Sequence, residues 1–208
     1  MRKFLHSIYM LAGKIFCNCC LAYWEIRDRI SPPKTDSVLF VAHPDDDTLF
    51  FHTFIKEHKP YVCLMTTGWS LRRVPCFFKV MRQYGVRYRA YPLDARDRRM
   101  NLLEKQVSEV LKIKPFKNIA AHNKTGEYGH EEHIRVHEAV SNVVSGSQYQ
   151  CTMFCPVLRE EIEKYPLPDN IADEKRAIFK KLYTTEAWLL DEEEAGTPVW
   201  VTHEKLET

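Results

Sequence analysis

One run constrains this chain most: Val38-Leu39-Phe40-Val41-Ala42 followed directly by His43-Pro44-Asp45-Asp46-Asp47. The five apolar residues, two of them β-branched, read as a buried strand. Three adjacent carboxylates have no place inside such a strand, so they lie beyond its C-terminal end. In open α/β sheets that edge is where ligands bind. Thr48 to Lys56 then reads as a helix, with Asp45, Asp46 and Asp47 around its N-terminus, where the macrodipole favours negative charge. Two readings of the acids stand side by side. One is helix capping with a solvated acidic turn. The other is a divalent metal site, in which His and Asp serve as ligands and a spare carboxylate moves a proton.

The following segments repeat the pattern. Tyr61 to Gly68 reads as a second strand. Ser70 to Tyr84 reads as a helix that carries Pro75 in its first turn and stops at Gly85. Val86 to Tyr91 alternates as a third, more exposed strand, Asn101 to Ile113 is helical, and Asn118 to Ala121 is a short strand ending in His122-Asn123. Strand and helix in alternation predict a parallel sheet covered on both faces. Further on, Asp173 to Leu190 has helical spacing and Pro198 to Thr202 reads as a late strand or edge.

Ahead of the first strand, Phe4, Leu5, Ile8, Leu11, Ala12, Ile15, Phe16, Cys19, Ala22 and Tyr23 recur at helical spacing, with Lys3, Ser7, Lys14, Asn18 and Glu25 between them. This is an amphipathic helix. His6, Lys14 and Asn18 interrupt it as a membrane span, and it lacks the cleavage site of a signal peptide. It can dock on its own domain or on a second subunit, lie in a membrane interface with help from Arg2, Lys3 and Lys14, or, as the least favoured fate, span the membrane. The segment Ser31-Pro32-Pro33-Lys34-Thr35-Asp36 is a proline-stiffened linker. The expected organisation is therefore 1–36 as helix and linker, and 37–208 as one α/β domain.

A second chemical cluster lies at Gly126-Glu127-Tyr128-Gly129-His130-Glu131-Glu132-His133, again after a strand and at the start of a helix. His130, His133 and His137 share one helix face. The pair His133 and His137 has the spacing of zinc peptidases, but Ile134 stands where that chemistry needs a Glu, and His137 lies about 6 Å deeper along the helix at 1.5 Å per residue. Together the two clusters supply His, Asp and His for one metal, with a free carboxylate and a free imidazole left over. That set suits metal-assisted hydrolysis.

Charge and cysteine content narrow the classes. Thirty basic against 28 acidic residues leave a net charge of +2, which gives no footprint of a nucleic-acid binder. Seven cysteines without framework spacing read as reduced thiols of a cytoplasmic protein. The turn after the first strand is acidic and has no glycine-rich loop for a pyrophosphate, which argues against a nucleotide-dependent dehydrogenase.

Ala42-His43-Pro44-Asp45-Asp46 and Gly126-Glu127-Tyr128-Gly129-His130-Glu131-Glu132-His133, in this order and spacing, resemble the A-H-P-D-D-E and G-x-Y-G-H-x-D-H patterns of the LmbE-like, PIG-L superfamily of zinc-dependent N-deacetylases. The resemblance covers residues 37 to about 190. It implies a Rossmann-type three-layer α/β/α fold with a mostly parallel sheet, and one Zn²⁺ per chain held by His43, Asp46 and His133. It further implies Asp45 as general base, His130 as acid or oxyanion donor, Tyr128 beside the same intermediate, and Arg73 as a substrate contact. Three positions depart from the patterns: Asp47 and Glu132 replace a Glu and an Asp, and Cys76 stands where a Glu often follows the arginine.

The implied activity is hydrolysis of an N-acetyl amide on an N-acetylglucosamine-containing conjugate or glycan, giving acetate and free amine. A silent sugar-binding or membrane-tethering module is the competing class. A phosphoester hydrolase clamped by Arg72, Arg73 and Lys124 is a third. A membrane-seated N-terminal helix would place the protein peripherally at the inner face of the membrane; otherwise it is cytoplasmic, alone or as a homo-oligomer.

Overall fold

The computed structural model describes residues 2–93, 99–147, 149–186, 190 and 199–208. Its sheet is built from β1 (Ser37–Val41), β2 (Tyr61–Leu64), β3 (Tyr88–Ala90), β4 (Asn118–Ala121), β5 (Thr152–Pro156) and β6 (Leu206–Glu207). The spatial order is β3-β2-β1-β4-β5-β6, with β1 to β5 parallel and β6 antiparallel to β5. The helices are α1 (Arg2–Ile30), α2 (Asp46–His58), α3 (Arg73–Tyr84), α4 (Met100–Leu111), α5 (Gly126–Gly129), α6 (Glu131–Ser145), α7 (Arg159–Ile162), α8 (Asp169–Lys181) and α9 (Val199–Thr202).

The strand at 38–42 is the centre of this arrangement. Val38, Leu39, Phe40, Val41 and Ala42 are fully buried, as a strand covered on both faces requires. Alternate residues feed two cores. Leu39 and Val41 pack with α2, α3 and α8 on one face, and Val38 and Phe40 pack with α4 and α6 on the other. Because β1 has β2 on one side and β4 on the other, the strand order reverses between β1 and β4. Crevices at such a switch point, past the C-terminal strand ends, are where these sheets bind ligands. His43 follows β1 and His122 follows β4, so both lie at that crevice.

Local signals held where the chemistry was local. Pro75 sits in the first turn of α3, and Gly85 ends that helix at φ 68°. Four expectations change. The third strand is not exposed, because α1 covers that edge: Arg27 donates to the Tyr88 carbonyl at 2.9 Å and Arg89 pairs with Asp28 at 2.9 Å. The helix expected over 173–190 ends at Lys181, and the chain beyond it turns back to the site through Tyr183 and Glu186. Residues 187–189, within that expected helix, lie outside the described residues. Val199 to Thr202 is a helical turn, not a strand, with Trp200 packed against Phe50 at 5.0 Å between ring centres; Pro198 lies outside the described residues.

The fourth change concerns α1. The apolar stripe from Phe4 to Tyr23 faces away from the domain, with Leu11 60 % and Tyr23 62 % exposed. The docked face is the opposite one, through Gly13, Cys17, Trp24 and Asp28. Trp24 meets Phe78 and Tyr88 edge-on at 5.2 and 5.7 Å. Gly13 is required by close approach, since a Cβ there would collide with the Trp69 carbonyl oxygen. By length and composition, Phe4–Ile30 is also long and apolar enough to cross a membrane, despite the three polar residues within it.

Candidate metal centre

The turn after β1 places its residues by backbone strain. Asp45 adopts φ 115°, rare for a residue with a side chain. Its carbonyl accepts the Thr48 and Leu49 N–H groups, so the helix start is satisfied by backbone and the carboxylates stay available. Asp46 folds back to accept the His43 N–H at 2.7 Å. Asp47 is fully buried; its carboxylate reaches back to accept the N–H of the N-cap residue Asp45 at 3.3 Å and also accepts hydrogen bonds from Tyr183 at 2.5 Å and Thr48 at 2.9 Å.

Three ligand atoms converge here. His43 Nδ1 lies 3.3 Å from His133 Nε2 and 3.4 Å from Asp46 Oδ2, and His133 Nε2 lies 3.3 Å from Asp46 Oδ2. Tetrahedral ligands at bond lengths of about 2.0–2.1 Å are separated by about 3.3–3.4 Å, so this triangle has the size of one face of a zinc-type site. The donor set fits as well: two imidazoles and a carboxylate suit a borderline divalent ion and leave a fourth position for water.

The structure adds two residues that sequence reasoning missed. His122 stacks on His133 at 3.9 Å between ring centres, and its Nε2 lies 3.3 Å from Asp46 Oδ2. Asp46, His122 and His133 therefore form a fully buried set close enough to hold a metal, and His43, His130 and His133 form a second, overlapping one. However, His122 Nε2 accepts the Ala42 N–H at 3.0 Å, which engages the lone pair a ligand would donate. The other missed residue is Glu127, at φ 58°, whose Oε2 meets His133 Nδ1 at 2.6 Å and His122 Nδ1 at 3.0 Å. Such a carboxylate fixes the tautomer of a ligating histidine so that its Nε2 faces the metal. Within the motif, Glu127 occupied an unspecified position, and the only signal was an acid five residues after a strand-end histidine.

The electrostatics follow from this packing. Burial works against ionisation of Asp46, yet the charge of His133 and hydrogen bonds from the surrounding histidines overcome it and hold the carboxyl well below its usual range. Burial likewise opposes charge on His133, but Asp46 and Glu127 outweigh it and push its pKa up to about 10. Glu127 is driven down to about 2 against its own burial by His122 and His133, whose Nδ1 atoms both meet its carboxylate. Asp45 goes the other way: burial, then the neighbouring Asp46, raise it well above the ordinary value, with Arg73 opposing. A carboxylate with a raised pKa is the stronger proton acceptor.

Arg73 reaches Asp45 Oδ1 at 3.1 Å and the Pro44 carbonyl at 2.9 Å, and pairs with Glu186 at 2.6 Å. It thus grips the expected base. His130 stacks on His133 at 4.5 Å and pairs through Nδ1 with Glu132 at 3.0 Å; burial and the adjacent His133 and His43 lower its pKa. Tyr128 is half exposed, with its ring 5.7 Å from that of His130. His137 turns away, Nδ1 against the His122 carbonyl at 2.8 Å, which removes the peptidase-like pair. All seven residues picked from the sequence lie along this one sheet edge.

No protein-family model matches the chain. An uncharacterized protein, L374 of Acanthamoeba polyphaga mimivirus, is 24 % identical over 133 residues, 53 % of this chain. The chain spans 58 % of that relative's length. Among solved structures, the conserved protein TT1542 from Thermus thermophilus superposes with a TM-score of 0.55 at 12 % identity, covering 84 % of this chain and 94 % of that one. GalB, the 4-carboxy-2-hydroxymuconate hydratase from Pseudomonas putida KT2440, superposes with a TM-score of 0.58 at 13 % identity, covering 82 % and 95 %. The LmbE-like α/β/α fold expected from the two motifs is the fold these neighbours share.

Proposed function

We propose that this protein is a metal-dependent hydrolase that removes the N-acetyl group from an amino sugar in an N-acetylglucosamine-containing conjugate or glycan. The observation that carries the reading is the triangle of His43 Nδ1, Asp46 Oδ2 and His133 Nε2, with the raised-pKa carboxyl of Asp45 beside it. A bound Zn²⁺ would be held by those three residues and would lower the pKa of a water and polarise the amide oxygen. Asp45 takes the proton from the attacking water. Tyr128 or His130 donates a hydrogen bond to the oxygen that becomes negative. Protonated Asp45 returns that proton to the nitrogen, directly or relayed through His130, as the C–N bond breaks, so that acetate and free amine leave.

Arg73 is held by two carboxylates, which leaves it poorly suited to clamp a phosphate and disfavours the phosphoester reading. GalB is a hydratase on the same fold, and a water-activating set also serves addition of water to a double bond. Amine release separates the two.

The test is amine and acetate release from a panel of N-acetylglucosamine conjugates, with zinc, with chelator, and with Asp45→Asn. Release that needs zinc and falls by about 100-fold or more in Asp45→Asn supports the reading. A zinc-loaded wild-type protein that releases no amine from any member refutes it.

A further inference from the structure

The outer face of α1 takes no part in the chemistry above. Phe4, Ile8, Leu11, Ile15, Ile26 and Ile30 on it are each between 49 and 79 % exposed. Cys19 and Ala22, also exposed, complete the row. Its steps are 4, 3, 4, 4, 3, 4 and 4 residues, an 11-residue repeat. At about 3.67 residues per turn, such a seam runs nearly straight along a helix, and seams of this kind pack one helix along another. At about 100° per residue the apolar arc around the seam spans about 140°, and from Phe4 to Ile26 it holds no charged side chain.

We infer that this face packs against the α1 of a second copy of the chain, antiparallel across a twofold axis. Three observations choose this occupant. First, the apolar pattern is the same in both chain directions. Reversed about Cys17, Phe4 falls on Ile30, Ile8 on Ile26, Leu11 on Tyr23, Ala12 on Ala22 and Ile15 on Cys19. A twofold interface requires this self-complementarity, because each pair of positions meets twice. A bilayer has no register and gives no reason for it. Second, the surface is large enough. The large apolar side chains of this face present on the order of 1,000 Å² of accessible surface, against about 800 Å² that a stable interface takes from each partner. Third, the basic side chains described on α1 are not offered to anionic headgroups. Lys14 lies over the Trp69 ring at 5.5 Å, Arg27 holds the Tyr88 carbonyl and Asp28, and Arg29 lines a cavity with Glu25 and Glu109.

The docking of α1 leaves room for the partner. Gly13, Cys17, Trp24 and Asp28 centre the docked face about 160° round the helix from the middle of the apolar arc. The two α/β domains therefore lie on opposite sides of the helix pair. Gly13 packs on Trp69, in the loop after β2 at the edge that carries the metal centre. With the helices antiparallel, the two metal centres open toward opposite ends of the pair.

Sedimentation equilibrium of the full chain over about 1–100 μM tests the inference. Wild type is expected to sediment with the mass of two chains. Ile15→Asp and Cys19→Lys, both at exposed positions, are each expected to weaken the dimer by at least about tenfold, because the charge enters the seam twice. Mixed in equal amounts, the two variants are expected to dimerise again, since antiparallel pairing sets position 15 of one chain against position 19 of the other. Unchanged far-UV circular dichroism shows that both variants are folded. Wild type that stays monomeric at the highest concentration overturns the inference, and binding of that monomer to phosphatidylcholine vesicles would assign the face to lipid. A dimer that neither variant weakens, or a mixture that stays monomeric, overturns it as well. Mass is independent of deacetylation, so failure of one reading leaves the other standing.

Discussion

Glu127→Gln is a nearly isosteric change, and the structure makes it costly. Three N–H donors converge on the Glu127 carboxylate: the Asn123 amide reaches Oε1 at 2.9 Å, and His122 Nδ1 and His133 Nδ1 reach Oε2 at 3.0 and 2.6 Å. A glutamine has one oxygen. Turned toward the histidines, it sets its NH₂ against the Asn123 N–H; turned toward Asn123, it sets that NH₂ against both imidazoles. Either way a buried donor is left unpaired, at about 1–3 kcal/mol. His133 also loses the partner that aims its Nε2, and losing an outer partner of a ligating histidine costs about 10–100-fold in metal affinity. The assay is zinc competition with a chromophoric chelator, with urea denaturation in parallel. Glu127→Gly separates the causes: it relieves the φ 58° backbone, worth about 1–3 kcal/mol, but loses the same affinity. Glu127→Gln with lower stability and wild-type zinc affinity would refute the clamp and leave Glu127 a packing residue.

Two further outcomes follow from other parts of the structure. Gly13→Ala should detach or shift α1, because the added methyl meets the Trp69 carbonyl; a loss of about 1–3 kcal/mol in urea denaturation is expected, and an unchanged midpoint would show that the helix does not dock there. His52 is buried against Tyr84 at 2.6 Å, and its burial, with the charge of Lys175, lowers its pKa from 6.5 to about 4. The unfolded chain binds this proton first, so stability present above pH 6.5 is lost as pH falls toward 4, by about 3 kcal/mol. In His52→Asn that component should vanish from the stability-against-pH curve, and an identical acid limb would exclude it.

The legible features were those carried by neighbouring residues. A continuous apolar run, an acidic turn and a helix start predicted β1, α2 and the strand-end edge. Both motifs landed on that edge because each is a strand end joined to a helix start. Alternation of strand and helix was enough for the parallel sheet. β6, by contrast, is two residues long and carried no periodic signal. His122 and Glu127 were passed over because their meaning is relational: each becomes informative once β4 is paired beside β1 and Glu127 takes its strained conformation.

What the sequence by itself determined is the order of elements and the kinds of ligand at the end of β1 and the start of α6, since spacing and side-chain chemistry are local properties. Tertiary structure decided which nitrogens and oxygens meet, and which side of α1 faces the domain. Hydrophobicity alone left the Phe4-to-Tyr23 stripe free to meet the domain, a second subunit or a membrane. Shape and charge docked the opposite face: Gly13 admits the Trp69 backbone, Trp24 fits between Phe78 and Tyr88, and Asp28 finds Arg87 and Arg89. Close packing and buried ion pairs depend on residues about sixty positions away in the chain, and no local pattern encodes them.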